Sequence, residues 1–202
     1  MQNLEACDPD ETGEYPMGSA QILRNLQARQ REHDIRAHPD IYYLSYPDRM
    51  KHLTFHVSKY AGRLAKDNVP EADLNRTLVD TFIISLSSAD VLRIDFTQAL
   101  NKWTKLADQP DLISLGRAIC ERDRKFEVLQ DWYFRKLADV AGRMAKACES
   151  LDHMEGIPYR DILAEAIIDL CRVTIVAASI ASLDLAAAVG QRWEYIELHR
   201  IL

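Results

Sequence analysis

Residues 56–66 read HVSKYAGRLAK and residues 136–146 read KLADVAGRMAK. The two stretches agree at Ala61/Ala141, Gly62/Gly142, Arg63/Arg143, Ala65/Ala145 and Lys66/Lys146, and Leu64 faces Met144, a volume-conserving exchange. A second pair of stretches follows them, LVDTFIISLSSADVLRIDFTQALNKW (78–103) and IIDLCRVTIVAASIASLDLAAAVGQRW (167–193). Asp80 aligns with Asp169 and Asp95 with Asp184 at one constant offset, and Trp103 meets Trp193 after a single inserted residue. The first phrase uses a shorter offset, so the copies differ by a nine-residue insertion in the loop after the GR(L/M)AK phrase. Landmarks in register around a loop insertion are the mark of a diverged duplication.

The long segments of both copies are apolar nearly all round, so each must be packed on several sides. Neither copy can bury such a helix alone. With only seven Gly and seven Pro in 202 residues, the chain is poor in turn formers, which favours long helices over many short strands. The expected fold is all-α: a helical bundle of two repeats that pack as an intramolecular pseudo-dimer.

The domain plan follows. Residues 1–18 carry five acidic residues and no Lys or Arg, and read as a disordered acidic arm. Residues 19–107 form the first helical repeat and 108–202 the second, packed with the first as one unit. Helices are expected from Ser19 until Pro39, then from about Asp48, with DIYYLSYPDR between them as an extended connector. Gly62 and Gly142 sit inside helical segments at about 1 kcal/mol each relative to Ala. Their recurrence predicts the close approach of a neighbouring helix or a ligand at both places.

A net charge of −6 argues against a general nucleic-acid binder, which carries a basic face, while leaving room for a small anionic ligand held by a few placed cations or by a metal. Cys7, Cys120, Cys148 and Cys171 form no C-x-x-C pair and read as incidental thiols of a reducing compartment. The N-terminus shows no signal-peptide pattern, and the most apolar window, VTIVAASIASL (173–183), is too short to span a membrane. A cytoplasmic protein without a membrane partner is expected.

Two helix-spaced constellations could hold a ligand. His52 and His56 stand at i, i+4 on one face, the spacing that lets two imidazoles share a borderline metal such as zinc if Asp80 approaches as a third ligand. The equivalent places in the second copy are Trp132 and Lys136, so this pair belongs to the first copy alone. Alternatively, Asp80 and Asp169 are buried carboxylates paired with Lys59, Arg63 or Arg143, which would hold two helices in register, with Asp139 and Arg143 as an i, i+4 surface pair. Trp103, Trp132 and Trp193 read as helix-end aromatics that cap the core. No Gly-rich phosphate loop, nucleophile elbow or dinucleotide fingerprint is present.

HVSKYAGRLA followed by TLVDTFIISLSSADVLRIDFTQAL resembles the MazG-like all-α nucleoside triphosphate pyrophosphohydrolases, over residues 50–103 and more weakly over 134–193. In that family, acidic motifs E-E-x-x-E and E-x-x-D on neighbouring helices hold Mg²⁺, which neutralises a triphosphate and activates water. Here the motifs are degenerate. Lys59, Tyr60 and Arg63 stand at the first, Thr77 replaces the Glu of the second, and Asp80 alone remains. The second copy keeps Asp139 and Asp169, with Glu165 one residue off the family spacing. What the resemblance implies is one of three roles. The first is a divergent, non-catalytic or much altered protein that binds a nucleotide, another small anion or a protein partner. The second is an active Mg-dependent pyrophosphohydrolase with a site rebuilt from Asp80, Asp139, Glu165 and Asp169. The third is a purely structural adaptor or homo-oligomer. Lys59, Arg63 and Arg143, standing where ligands of a cation would be, are candidates for holding phosphate.

Overall fold

The computed structural model describes residues 18–120 and 128–199, and those residues are all-helical, without a strand. The expected acidic arm lies outside the described residues apart from Gly18. Four long helices make the frame: α3 (Tyr46–Leu64), α4 (Glu71–Leu92), α7 (Leu129–Asp152) and α8 (Tyr159–Ile180). α1 (Ser19–Ala37), α2 (Pro39–Tyr42), α5 (Phe96–Leu100), α6 (Leu112–Cys120) and α9 (Leu185–Leu198) surround them.

Cross-helix contacts fix the directions. Arg49 near the start of α3 reaches Asp90 near the end of α4, while Arg63 at the end of α3 reaches Asp80, so the two helices run antiparallel. α3 also runs antiparallel to α7, joined by Lys51–Asp152 at one end, Thr54–Cys148 in the middle and the Gln130 amide on the Leu64 and Lys66 carbonyls at the other. α4 packs on α8. One continuous core results, from Leu78, Phe82 and Leu86 of α4 to Tyr133, Met144, Leu170 and Ile175 of the later helices. Tyr133 is wholly buried and places its hydroxyl 2.8 Å from the Thr174 hydroxyl, because a phenol in an apolar core needs a partner.

The ends of α4 and α8 are built alike. Arg93 and Ser182 adopt left-handed φ of 56° and 54°, and the next amide turns back to a carbonyl five residues earlier, Ile94 to Ala89 and Leu183 to Ala178, each at 2.9 Å. This Schellman closure satisfies the last carbonyls of each helix. Asp95 and Asp184 then cap α5 and α9, accepting from Thr97 N–H and from the Ala186 and Ala187 N–H groups.

Two local expectations are corrected. The connector after Pro39 is not extended: Pro39 opens the short helix α2, since its fixed φ and missing N–H suit a first helical turn. α3 then starts at Tyr46, ahead of Asp48, with the Ser45 hydroxyl on the Asp48 amide and Pro47 in the first turn. The glycine expectation also fails for a neighbouring helix. A Cβ added at Gly62 or Gly142 would meet none of the described residues within 4 Å, and both are exposed. The close approach occurs instead at Gly116 of α6, where a Cβ would stand 2.6 Å from the Ile175 carbonyl oxygen on α8. A bare helix surface there lets α6 lie down on α8.

No single helix among the described residues is long and apolar enough to cross a membrane; α8 and α9 pass such a test only as a pair, and they meet at a bend of 106°.

Candidate functional site

A cavity of about 460 Å³ opens between α1, α2, α3, α4 and α9. Its floor is a helical stripe on α4: Asp80, Ile83, Ile84 and Ser87, at i, i+3, i+4 and i+7. Its wall is the matching stripe of α3, from Arg49 through His52 and His56 to Lys59, Tyr60 and Arg63. α1 contributes Gln30, His33 and Asp34, and α9 contributes Arg192. A void of this size lies within the range of small-molecule sites.

At one end, cations outnumber carboxylates. The Asp80 side chain, only 7% exposed, accepts from Arg63 Nη1 at 3.1 Å and from Arg192 Nε at 2.9 Å. Lys59 stands beside them, with no carboxylate among the described residues within ion-pair distance; its Nζ lies 3.1 Å from His56 Nδ1 and 5.0 Å from the centre of the Tyr60 ring. Burial and the neighbouring Arg63 charge lower the Lys59 pKa, against the opposing pull of Asp80. Burial, with Lys59 and His52 nearby, pushes His56 down to about 4, so the ring is neutral at pH 7. That agrees with the geometry, since a neutral Nδ1 can accept from Lys59 and stands 3.2 Å from the Tyr60 hydroxyl. Tyr60 is shifted upward by its burial and by Asp80, and stays a phenol.

The other end is a buried polar network. Trp193 Nε1 donates to Gln30 Oε1 at 2.7 Å, and Gln30 Nε2 donates to Asp34 Oδ1 at 2.8 Å. Arg49 lies between Asp34 at 3.7 Å and Asp90 at 3.3 Å, with its guanidinium over the Tyr42 ring. Burial raises the Asp34 pKa; Ser87, Gln30 and Arg49 offset part of that cost.

The residues singled out in the sequence are only partly brought together. Asp80, His52, His56, Lys59 and Arg63 share the cavity. Asp139, Arg143 and Asp169 lie on α7 and α8, where Arg143 bridges Asp139 at 3.0 Å and Asp169 at 2.9 Å, and Arg172 adds a contact to Asp169 at 3.3 Å. Glu165 is exposed on α8. Among the described residues no three His, Cys, Asp or Glu side chains converge as a metal-ion site. The donor set does not fit Mg²⁺ either. A hard dication takes several oxygen ligands, whereas Asp80 is already held by two guanidinium groups and Asp139 and Asp169 share a third. The histidine pair likewise packs ring against ring at 4.8 Å, with His56 Nδ1 engaged by Lys59.

Sequence reasoning missed Arg192, Gln30 and Asp34. Arg192 lies 112 positions from its partner Asp80, and nothing local marks it as a cavity residue. The tryptophans divide: Trp193 is buried against α1, and Trp103 carries Lys102 and Arg172 over its ring.

No protein-family model matches the chain, and no curated protein or solved structure matches it significantly.

Proposed function

We propose that this chain is a ligand-binding helical bundle, derived from two MazG-like repeats, whose cavity holds a small anion such as a nucleotide or another phosphorylated or carboxylated molecule. The observation that carries the reading is the imbalance at one end of the cavity: among the described residues, Lys59, Arg63 and Arg192 stand around a single carboxylate, Asp80, in a chain of net charge −6. Partly desolvated cations with spare N–H donors are what a phosphate or carboxylate group needs. Ile83, Ile84 and Leu53, with the Tyr60 ring, offer an apolar bed for the uncharged part of the ligand.

The resemblance adds a reason. Lys59 and Arg63 stand where the MazG-like motif places metal-binding carboxylates, so the charge that Mg²⁺ brings to a triphosphate in that family is here built into the protein. The matching Schellman ends, Asp caps and Arg–Asp bridges of α3–α4 and α7–α8 support descent from a duplication.

Titration calorimetry with phosphate, citrate and a nucleotide panel in the presence of EDTA tests the reading. Binding that survives EDTA and weakens about tenfold in Arg192→Gln, which leaves Arg63 on Asp80, is expected. No binding by any anion would overturn it. Release of pyrophosphate that requires Mg²⁺ and disappears in Asp169→Asn would replace it by the hydrolase.

A further inference from the structure

Lys59 differs from the other cations of the cavity. Arg63 and Arg192 each give one nitrogen to Asp80 and keep further N–H donors, whereas the Lys59 amine has a neutral imidazole nitrogen, His56 Nδ1, as its hydrogen-bond partner. Lys59 is exposed at the cavity rim, and a lysine held beside another cation loses its proton more readily, which is one way lysine nucleophiles are activated. The reaction also needs a base within reach, and 3.1 Å from Nζ to Nδ1 meets that requirement. Lysine and imidazole stand at i, i+3 on α3, and both line the cavity.

We propose that Lys59 captures a carbonyl ligand as a Schiff base, and that the ligand class is an anionic carbonyl compound, a 2-oxo acid or a phosphorylated aldehyde. The inference rests on the anion-binding reading above: Arg63 and Arg192 take the carboxylate or phosphate, which brings the carbonyl carbon to Lys59. The Nζ lone pair forms the C–N bond while the carbonyl π pair moves to oxygen, and His56 Nδ1 takes one proton from the nitrogen and passes it to that oxygen, giving the carbinolamine. The nitrogen lone pair then expels the hydroxyl, which takes the second nitrogen proton through His56 Nδ1 and departs as water. One amine and one carbonyl become one imine and one water, with no oxidant or reductant consumed. Hydrolysis reverses the step. The Tyr60 ring under Lys59 favours the ammonium form, so the free amine is a minority that the reaction draws upon.

The test uses the full chain with pyruvate and, separately, glyceraldehyde 3-phosphate, reduced with borohydride and read by intact mass and peptide mapping. A single adduct at Lys59 is expected, forming roughly tenfold faster than at the other lysines. It should vanish in Lys59→Arg, form more slowly in His56→Gln, and not form with acetone, which lacks the anion. Circular dichroism of both variants shows whether they remain folded. Adducts scattered over the lysines, or none at all, overturn the proposal. Lactate and phosphate separate the two readings. If these unreactive anions bind but pyruvate leaves no adduct, the Schiff base alone is wrong. If they do not bind either, the anion site itself is wrong.

Discussion

Arg63 and Asp80 form a cross-helix ion pair at 3.1 Å that has a counterpart in Arg143 and Asp169 at 2.9 Å. The arginine of each AGR phrase ends up on the aspartate at the equivalent place in the next long helix, so the repeated phrase is used for the same fastening in α3–α4 and in α7–α8. The settings differ. Asp80 is 7% exposed and also holds Arg192, whereas Asp169 is 30% exposed. Asp80→Ala leaves guanidinium charge facing a low-dielectric pocket and is expected to cost about 2–3 kcal/mol, less than a wholly buried pair because Arg63 is partly solvated. Asp169→Ala is expected to cost about 1 kcal/mol. Urea titration of the two variants measures the difference, and equal losses would contradict the buried status of Asp80.

The glycines give a prediction of opposite signs. Gly62 and Gly142 have open space where a Cβ would go and sit in helical backbone, so Gly62→Ala and Gly142→Ala should each stabilise by about 0.5–1 kcal/mol. At Gly116 a Cβ would collide with the Ile175 carbonyl and the Ser179 side chain. Gly116→Ala should therefore force α6 off α8 and cost about 1–3 kcal/mol. Thermal melts of the three variants decide it.

These positions also show where sequence reasoning works. The two AGR phrases and the long apolar segments that follow them marked the four long helices, because a segment apolar nearly all round must be packed on several sides wherever it stands. The offset between the two similar stretches marked the Arg–Asp landmarks, which are local to one helix hairpin. The cavity was only half legible. Its α3 wall was visible as His52, His56, Lys59 and Arg63, but its α1 and α9 walls depend on how remote segments dock. In QREHD the buried Gln30, His33 and Asp34 look like a solvated face. Recurrence of Gly62 and Gly142 suggested packing because a glycine is costly in a helix, yet nothing local tells an open helix surface from a crowded one.

Acid should destabilise the fold through His56. Its pKa is lowered from 6.5 to about 4, so protonation favours the unfolded chain. The stability that depends on the neutral ring is complete above pH 6.5 and is lost as the pH falls toward 4. Lys59, His52 and His38 oppose protonation, Asp80 favours it, and the Tyr60 hydroxyl shares Nδ1. His56→Gln is expected to flatten the acid limb of a stability–pH profile between those values; an unchanged limb would mean that His56 titrates freely.

Gln30 joins the fold to the cavity. Its side chain accepts from the Trp193 indole and donates to Asp34, while Arg192, the residue before Trp193, reaches Asp80. Gln30→Leu leaves a buried indole N–H and a carboxylate oxygen without this partner, at roughly 1–3 kcal/mol for each group so orphaned. The cost should loosen α9, since Trp193 is its buried anchor on α1. Arg192 would then be less firmly held over Asp80, and anion affinity should fall even though Gln30 lies at the opposite end of the cavity. Calorimetry with the best-binding anion, alongside urea melts, separates the effects. Lost stability with unchanged affinity would show that Arg192 is positioned by Asp80 alone, while a parallel loss would show that the docking of α9 sets the geometry of the anion site.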